Sequence, residues 1–190
     1  MNKLLFKSVF VVLLLAFTAC GGGGDSAQET AESQETESMD AMDDDVRTID
    51  IIGVDDMKFV VAEEGEGLVT GAQAGENYIL EAIEASPGEE IRISLTTTSN
   101  LPPTAMSHNF VLLAMGTDID AFVRAALTAR DSEYIPADFE DQIIAYTDML
   151  GDGESDSVTF TAPEEPGEYT FICSFPGHYA GGMVGTLIVQ

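Results

Sequence analysis

The stretch Cys173-Ser174-Phe175-Pro176-Gly177-His178-Tyr179-Ala180-Gly181-Gly182-Met183 decides how this chain is read. The residues before it, Glu168 to Ile172, and after it, Gly185 to Val189, are rich in β-branched and aromatic side chains and predict strands. Pro176, Gly177, Gly181 and Gly182 force a loop between them. That loop presents a thiol, an imidazole and a thioether together. Taken singly, Cys173 and Met183 have an ordinary reading as core residues, and His178 as a turn residue. Their combination in one strand-bounded loop points to a metal.

The sequence holds one other histidine, His108, in Met106-Ser107-His108-Asn109-Phe110, where a strand begins. Thiolate and thioether sulfurs combined with imidazole favour copper. A plane of two His and one Cys with a long axial Met is the geometry of blue-copper electron transfer. His108, Cys173, His178 and Met183 complete that set with no histidine to spare. Cys173 is also a thiol without a disulfide partner, since the only other cysteine is Cys20. In an exported protein a leftover thiol calls for an explanation, and a metal supplies one.

At these residues the chain resembles the blue-copper cupredoxins, and within them the azurin and auracyanin group. Asn100 to Pro102, Met106 to Asn109, Gly151 to Phe160 and Cys173 to Met183 are similar to azurin segments in the same order, and the likeness runs from about Thr48 to Gln190. The resemblance implies His108 and His178 as imidazole ligands, Cys173 as thiolate and Met183 as axial ligand. It further implies that Asn109 ties the His108 strand to the Cys173 loop, and that the backbone amides of Phe175 and of the residue after His108 donate to the sulfur. Four residues separate His178 from Met183, as in the auracyanins, where azurins have three. Ser107 stands where azurins have a glycine whose carbonyl approaches the metal, so a weak carbonyl contact from Ser107 is left open. The cysteines of the azurin disulfide are absent.

The net charge is −27, from 34 acidic and seven basic residues. Too few Lys and Arg are available to neutralise a phosphate backbone, which argues against a nucleic-acid partner. The acidity bears on solubility, and on either a basic docking face of the partner or a high-salt habitat. Residues 1–19 predict a lipoprotein signal peptide: Lys3 and Lys7 precede an apolar run from Val9 to Phe17 that is too short to span a bilayer. Phe17-Thr18-Ala19-Cys20 resembles a bacterial lipoprotein processing box, which implies acylation of Cys20. Residues 20–47, glycine-rich and then acidic, cannot bury enough surface to offset ordering entropy and are expected to form a disordered tether with a reach of about 25–30 Å.

Residues 48–190 predict one all-β domain. Strands are expected at Thr48–Ile52, Met57–Val61, Tyr78–Ile83, Ile91–Thr96, Phe110–Ala114, Gln142–Tyr146 and Ser157–Phe160, and on either side of the Cys173 loop. Glu63 to Asn77 is expected to be a loop or insertion. One short helix follows the His108 strand, capped by Thr117, with Asp118 and Asp120 in its first turn and an apolar face of Phe122, Ala125, Ala126 and Ala129. Short strands with Gly and Pro turns predict a cupredoxin-like Greek-key β-sandwich of about eight strands.

The expected function is one-electron carriage by a lipid-anchored type 1 copper protein at the periplasmic or outer face of a bacterial membrane, exchanging electrons with a cytochrome or a membrane oxidoreductase. The exposed edge of His178 is the expected electron port, inside an apolar patch of Leu101, Pro102, Met106, Phe175, Pro176 and Ala180. The alternative is a periplasmic copper delivery or storage protein, although a Cys-plus-two-His plane favours retention over release. An enzyme is not expected, because oxygen or nitrite chemistry needs further His-rich centres and both histidines are committed.

Overall fold

The computed structural model describes residues 46–190. The expected signal peptide, Cys20 and the expected tether as far as residue 45 lie outside the described residues, whereas Arg47, expected at the end of the tether, already opens a strand and pairs with Glu89 at 2.8 Å. The strands are β1 (Arg47–Val54), β2 (Lys58–Val61), β3 (Leu68–Ala74), β4 (Asn77–Ala85), β5 (Glu90–Thr98), β6 (Val111–Leu113), β7 (Ile143–Tyr146), β8 (Ser155–Thr161), β9 (Gly167–Ile172) and β10 (Val184–Val189). One helix, α1 (Ile119–Ala126), and two short 3₁₀ turns lie between β6 and β7. The protein is therefore mostly β, with a cupredoxin-like architecture.

Hydrogen bonding runs along the path β7-β6-β9-β10-β4-β2-β1-β5-β8, with β3 added to β4. Its two ends, β7 and β8, pack against each other, so the sheet curls into a barrel-like wall. Most neighbours are antiparallel, but β1 pairs with β5 and β10 with β4 in parallel. Alternation places the core: in β5, Ile91, Ile93 and Leu95 point inward, and in β1 Ile49 and Ile51 meet them. Phe59, Phe110 and Phe171 pack at centroid distances of 5.1–6.2 Å, Phe110 stacked on Phe171 and Phe59 edge-on to both. The same two-residue period that buries Phe110 and Phe171 turns His108 and Cys173 inward above them.

Among the described residues ten strands form where about eight were expected, and one addition falls in the stretch expected to be a loop. Leu68–Ala74 is a strand because Gly75, at φ 66°, leads a two-residue turn into β4, a position that favours glycine in a tight hairpin. It pairs on one side only and its register is broken by bulges, so its side chains show little in–out alternation. The helix forms as expected, but Asp118 rather than Thr117 caps it, accepting from the Ala121 amide at 2.9 Å. The Thr117 hydroxyl donates to the Ala114 carbonyl instead. Phe122 and Ala126 bury, and Phe122 packs with Val111, Leu113 and Ile172 in a second apolar cluster outside the main core.

Candidate metal centre

His108 stands just before β6, held by a two-way backbone bridge to Leu150, its amide donating at 2.9 Å and its carbonyl accepting at 2.8 Å. Cys173 directly follows β9, and its amide donates to the Met183 carbonyl at 3.2 Å, which closes the loop at its base. Inside the loop the amides of His178, Gly181, Gly182 and Met183 donate to the carbonyls of Phe175, Gly177, Tyr179 and His178, a compact turn with little freedom. The sequence achieves this with Gly177 and Gly182, whose φ angles of 89° and 88° favour a residue without a Cβ.

These restraints bring together all four residues singled out in the sequence. The ligating atoms of His108, Cys173 and His178 lie within 4.8 Å of one another. The Cys173 Sγ is 3.4 Å from His178 Nδ1, and the Met183 Sδ is 3.1 Å from His108 Nδ1. The Ser107 carbonyl is 3.9 Å from the Cys173 sulfur. His108, Cys173 and Met183 are fully buried and His178 is 2% exposed.

Burial sets the protonation states. Loss of hydration, aided by repulsion from His178 and opposed by Asp55, lowers the His108 pKa to about 4, and burial lowers that of His178 to about 4. Both imidazoles are thus neutral at pH 7, with lone pairs available. Burial pushes the Cys173 thiol up to about 12, outweighing the Asn109 and Phe175 amides that donate to its sulfur. Two neutral imidazoles, a thioether and a thiol whose ionised form only a cation would make favourable are the donor set that copper takes.

Asn109 accepts from the Ser174 amide at 2.9 Å and donates to the Ser174 hydroxyl at 2.9 Å. It therefore ties the His108 segment to the Cys173 loop. Leu101, Pro102 and Ala180 are exposed around the site, and Phe175 and Pro176 are half-buried. Met106 is only 8% exposed, so the patch is smaller than expected, and the His178 edge barely reaches solvent. Phe175 covers that ring at 4.7 Å and is itself met edge-on by Tyr134 at 5.5 Å.

Two further contributors were not read from the sequence. Gly53 in β1 backs the His108 ring so closely that a Cβ there would lie 2.7 Å from its Cγ. An isolated glycine inside a strand pattern signals such an approach. Asp55 accepts from the Ser99 hydroxyl and the Asn100 amide, while Asp152 accepts from the Ser99 amide, fixing the start of the loop that carries Leu101 and Pro102. The Ser99 and Asn100 contacts hold Asp55 below the usual carboxylate range.

The profile of the family described as copper binding proteins, plastocyanin/azurin family, matches residues 66–190. Auracyanin-B of Chloroflexus aurantiacus is 43% identical over 100 residues, 52% of this chain and 41% of its own length. The azurin of Bordetella pertussis is 41% identical over 110 residues, 56% of this chain and 71% of that protein. Among solved structures, the dithionite-reduced auracyanin of the photosynthetic bacterium Roseiflexus castenholzii aligns with a TM-score of 0.54 and 31% identity, covering 75% of this chain and 96% of that one. The chain spans less than half of that auracyanin-B but most of the azurin. With the fold and the buried His108–Cys173–His178 cluster, these matches show that the chain belongs to the plastocyanin/azurin family of copper-binding proteins.

Proposed function

We propose that His108, Cys173, His178 and Met183 hold one copper ion, and that the protein carries single electrons between redox partners. The observation that carries this reading is the buried convergence of two neutral imidazoles, a thiol and a thioether on a loop closed by the Cys173–Met183 backbone hydrogen bond. Bound copper supplies a one-electron Cu(I)/Cu(II) couple. The chain's part is to hold the donors still, through the Leu150 bridge behind His108 and the Asn109–Ser174 link, and to exclude water with the Phe175 ring. Ligands that do not move between oxidation states keep the reorganisation that accompanies transfer small. A weak contact from the Ser107 carbonyl belongs to the same proposal, supported by its approach to the Cys173 sulfur.

Carriage is favoured over delivery because the donors are buried, which suits retention. It is favoured over catalysis because both histidines of the chain sit in this one cluster. We place the docking surface at the half-buried and exposed apolar residues over His178, namely Leu101, Pro102, Phe175, Pro176 and Ala180. A cytochrome or membrane oxidoreductase with a basic face suits the net charge of −27. In this reading Cys20 is acylated and the residues from 20 to 45, which precede the described domain, tether it to a bacterial membrane on its periplasmic or outer face.

The test is the visible spectrum of the Cu(II)-loaded full chain beside Cys173→Ser, with Cys20→Ser compared by membrane fractionation. An intense thiolate-to-copper band that reduction bleaches and reoxidation restores, absent from the Cys173 variant, is the expected result. A colourless chain that holds only Cu(I) would sink the carrier reading in favour of delivery. A Cys20 variant that still sediments with membranes would remove the lipid anchor.

A further inference from the structure

Lys58 is the only lysine from residue 46 to the C-terminus. In so acidic a chain it could be expected to meet a carboxylate, yet among the described residues the one ion pair joins Arg47 to Glu89. The Lys58 Nζ instead donates to two backbone carbonyls, Gly181 at 2.7 Å and Gly182 at 3.2 Å. Those carbonyls lie 123 and 124 residues away and immediately precede Met183.

The approach is built from both sides. Met57, at φ 54°, turns the chain from β1 into β2, where Lys58 sits opposite Val54. A Cβ on Gly182 would lie 2.5 Å from the Lys58 Nζ, and one on Gly181 would lie 2.6 Å from the Met57 Sδ. The two glycines thus leave the space that the β1–β2 hairpin end fills. Within the loop, the carbonyls of Gly177, His178 and Tyr179 are taken by later amides, whereas those of Gly181 and Gly182, at the end of the turn, accept from no amide of the loop. They are the acceptors left over when a helical turn stops, and a cation there satisfies them. Two adjacent glycines are also the costliest residues to hold in one conformation.

We propose that Lys58 is a positioning residue for the Met183 side of the candidate metal site. It clamps Gly181 and Gly182, fixes the backbone that delivers Met183, and sets one positive charge on the loop that would hold the ion. The inference rests on the copper-carrier reading and deepens it. Each function has its own consequence. The clamp holds the extra residue of the His178–Met183 loop in a single path. The charge, in no ion pair among the described residues, favours the less positive Cu(I) state over Cu(II).

The test compares the full chain with Lys58→Met, which removes donors and charge, Lys58→Gln, which keeps a donor but not the charge, and Lys58→Arg, which keeps both. Amide hydrogen exchange is read on the copper-free proteins and reduction potential on the copper-loaded ones. In Lys58→Met the Gly181, Gly182 and Met183 amides should exchange at least tenfold faster while β1 and β5 amides keep their protection, and Lys58→Arg should restore the slow exchange. The Cu(I) preference should fall about tenfold in Lys58→Met and Lys58→Gln, which for one electron is about 59 mV. Loop exchange within twofold of the parent in Lys58→Met overturns the clamp, and an unchanged potential in both uncharged variants overturns the electrostatic part. Because the exchange is measured without metal, a parent chain that binds no copper would defeat the carrier reading while the clamp is still judged on its own.

Discussion

Replacing Gly53 by alanine should damage the candidate metal site from behind without touching any of its four candidate donors. Gly53 lies in the middle of three paired strands, opposite Phe59 of β2 and Thr97 of β5, so its backbone has no free direction in which to retreat. An added Cβ would stand 2.7 Å from the His108 Cγ and 2.8 Å from its Cβ and Cδ2, about 0.7 Å inside the 3.4 Å where ordinary contact begins. The ring must therefore give way, but the His108 backbone is pinned by the Leu150 bridge. Overpacking of this kind costs about 1–3 kcal/mol, while the unfolded-state entropy gained on replacing Gly returns only about 0.4–1 kcal/mol. Thermal unfolding of the copper-free chain, followed by circular dichroism, should shift down by about 2–8 °C. A donor moved by more than about 0.5 Å no longer matches its site. Copper affinity, measured by chelator competition, should accordingly fall by about 10–100-fold, the range typical of changes to groups that orient ligands. A Gly53→Ala chain with unchanged midpoint and copper affinity within twofold would refute the claim that the missing side chain is what seats His108.

Asn109→Ala should cost about 1–3 kcal/mol, because it leaves the buried Ser174 amide without the acceptor it now has at 2.9 Å; chemical denaturation measures this, and Asn109→Asp, which keeps the acceptor, should lose less. Cu(II) uptake between pH 6 and 8 should release one proton per ion, from the thiol whose pKa stands near 12, and affinity should rise about tenfold per pH unit. The sign is the same for the histidines but the window moves: with both imidazole values near 4 rather than 6.5, His108 and His178 release nothing at neutral pH and join only as pH falls toward 4, where the slope should steepen. Direct pH-stat titration that finds no proton released near pH 7 would show that the thiolate forms before the metal arrives.

The donor set was legible because its information is local or scarce. Cys173, His178 and Met183 fall within one loop whose glycines and proline announce it, and His108 is the only other histidine available. The wall of the fold was legible for a related reason: β5 alternates inward and outward along its whole length, which only a half-buried strand requires. Where that signal fails, so did the reading. The edge strand β3 bears on a neighbour from one side and breaks register, leaving composition that looks like a loop. Asp118 and Thr117 are both competent caps, and only the backbone angles choose between them.

What stayed hidden depends on contacts between distant segments. The near-complete burial of His178 arises from Phe175 lying across its ring, and no periodicity records which neighbour a loop side chain will meet. Lys58 is harder still, since its partners are carbonyls, which every residue possesses and no sequence distinguishes. The two glycines that admit it were legible only as loop formers. Their second role, leaving room for the Met57 sulfur and the Lys58 ammonium, exists only once β1 and β2 are folded against the loop. The ligands of such a site can therefore be read from a chain far more readily than the groups that set its rigidity and charge. A ligand must be one of a few residue types, whereas a support need only be the right size in the right place.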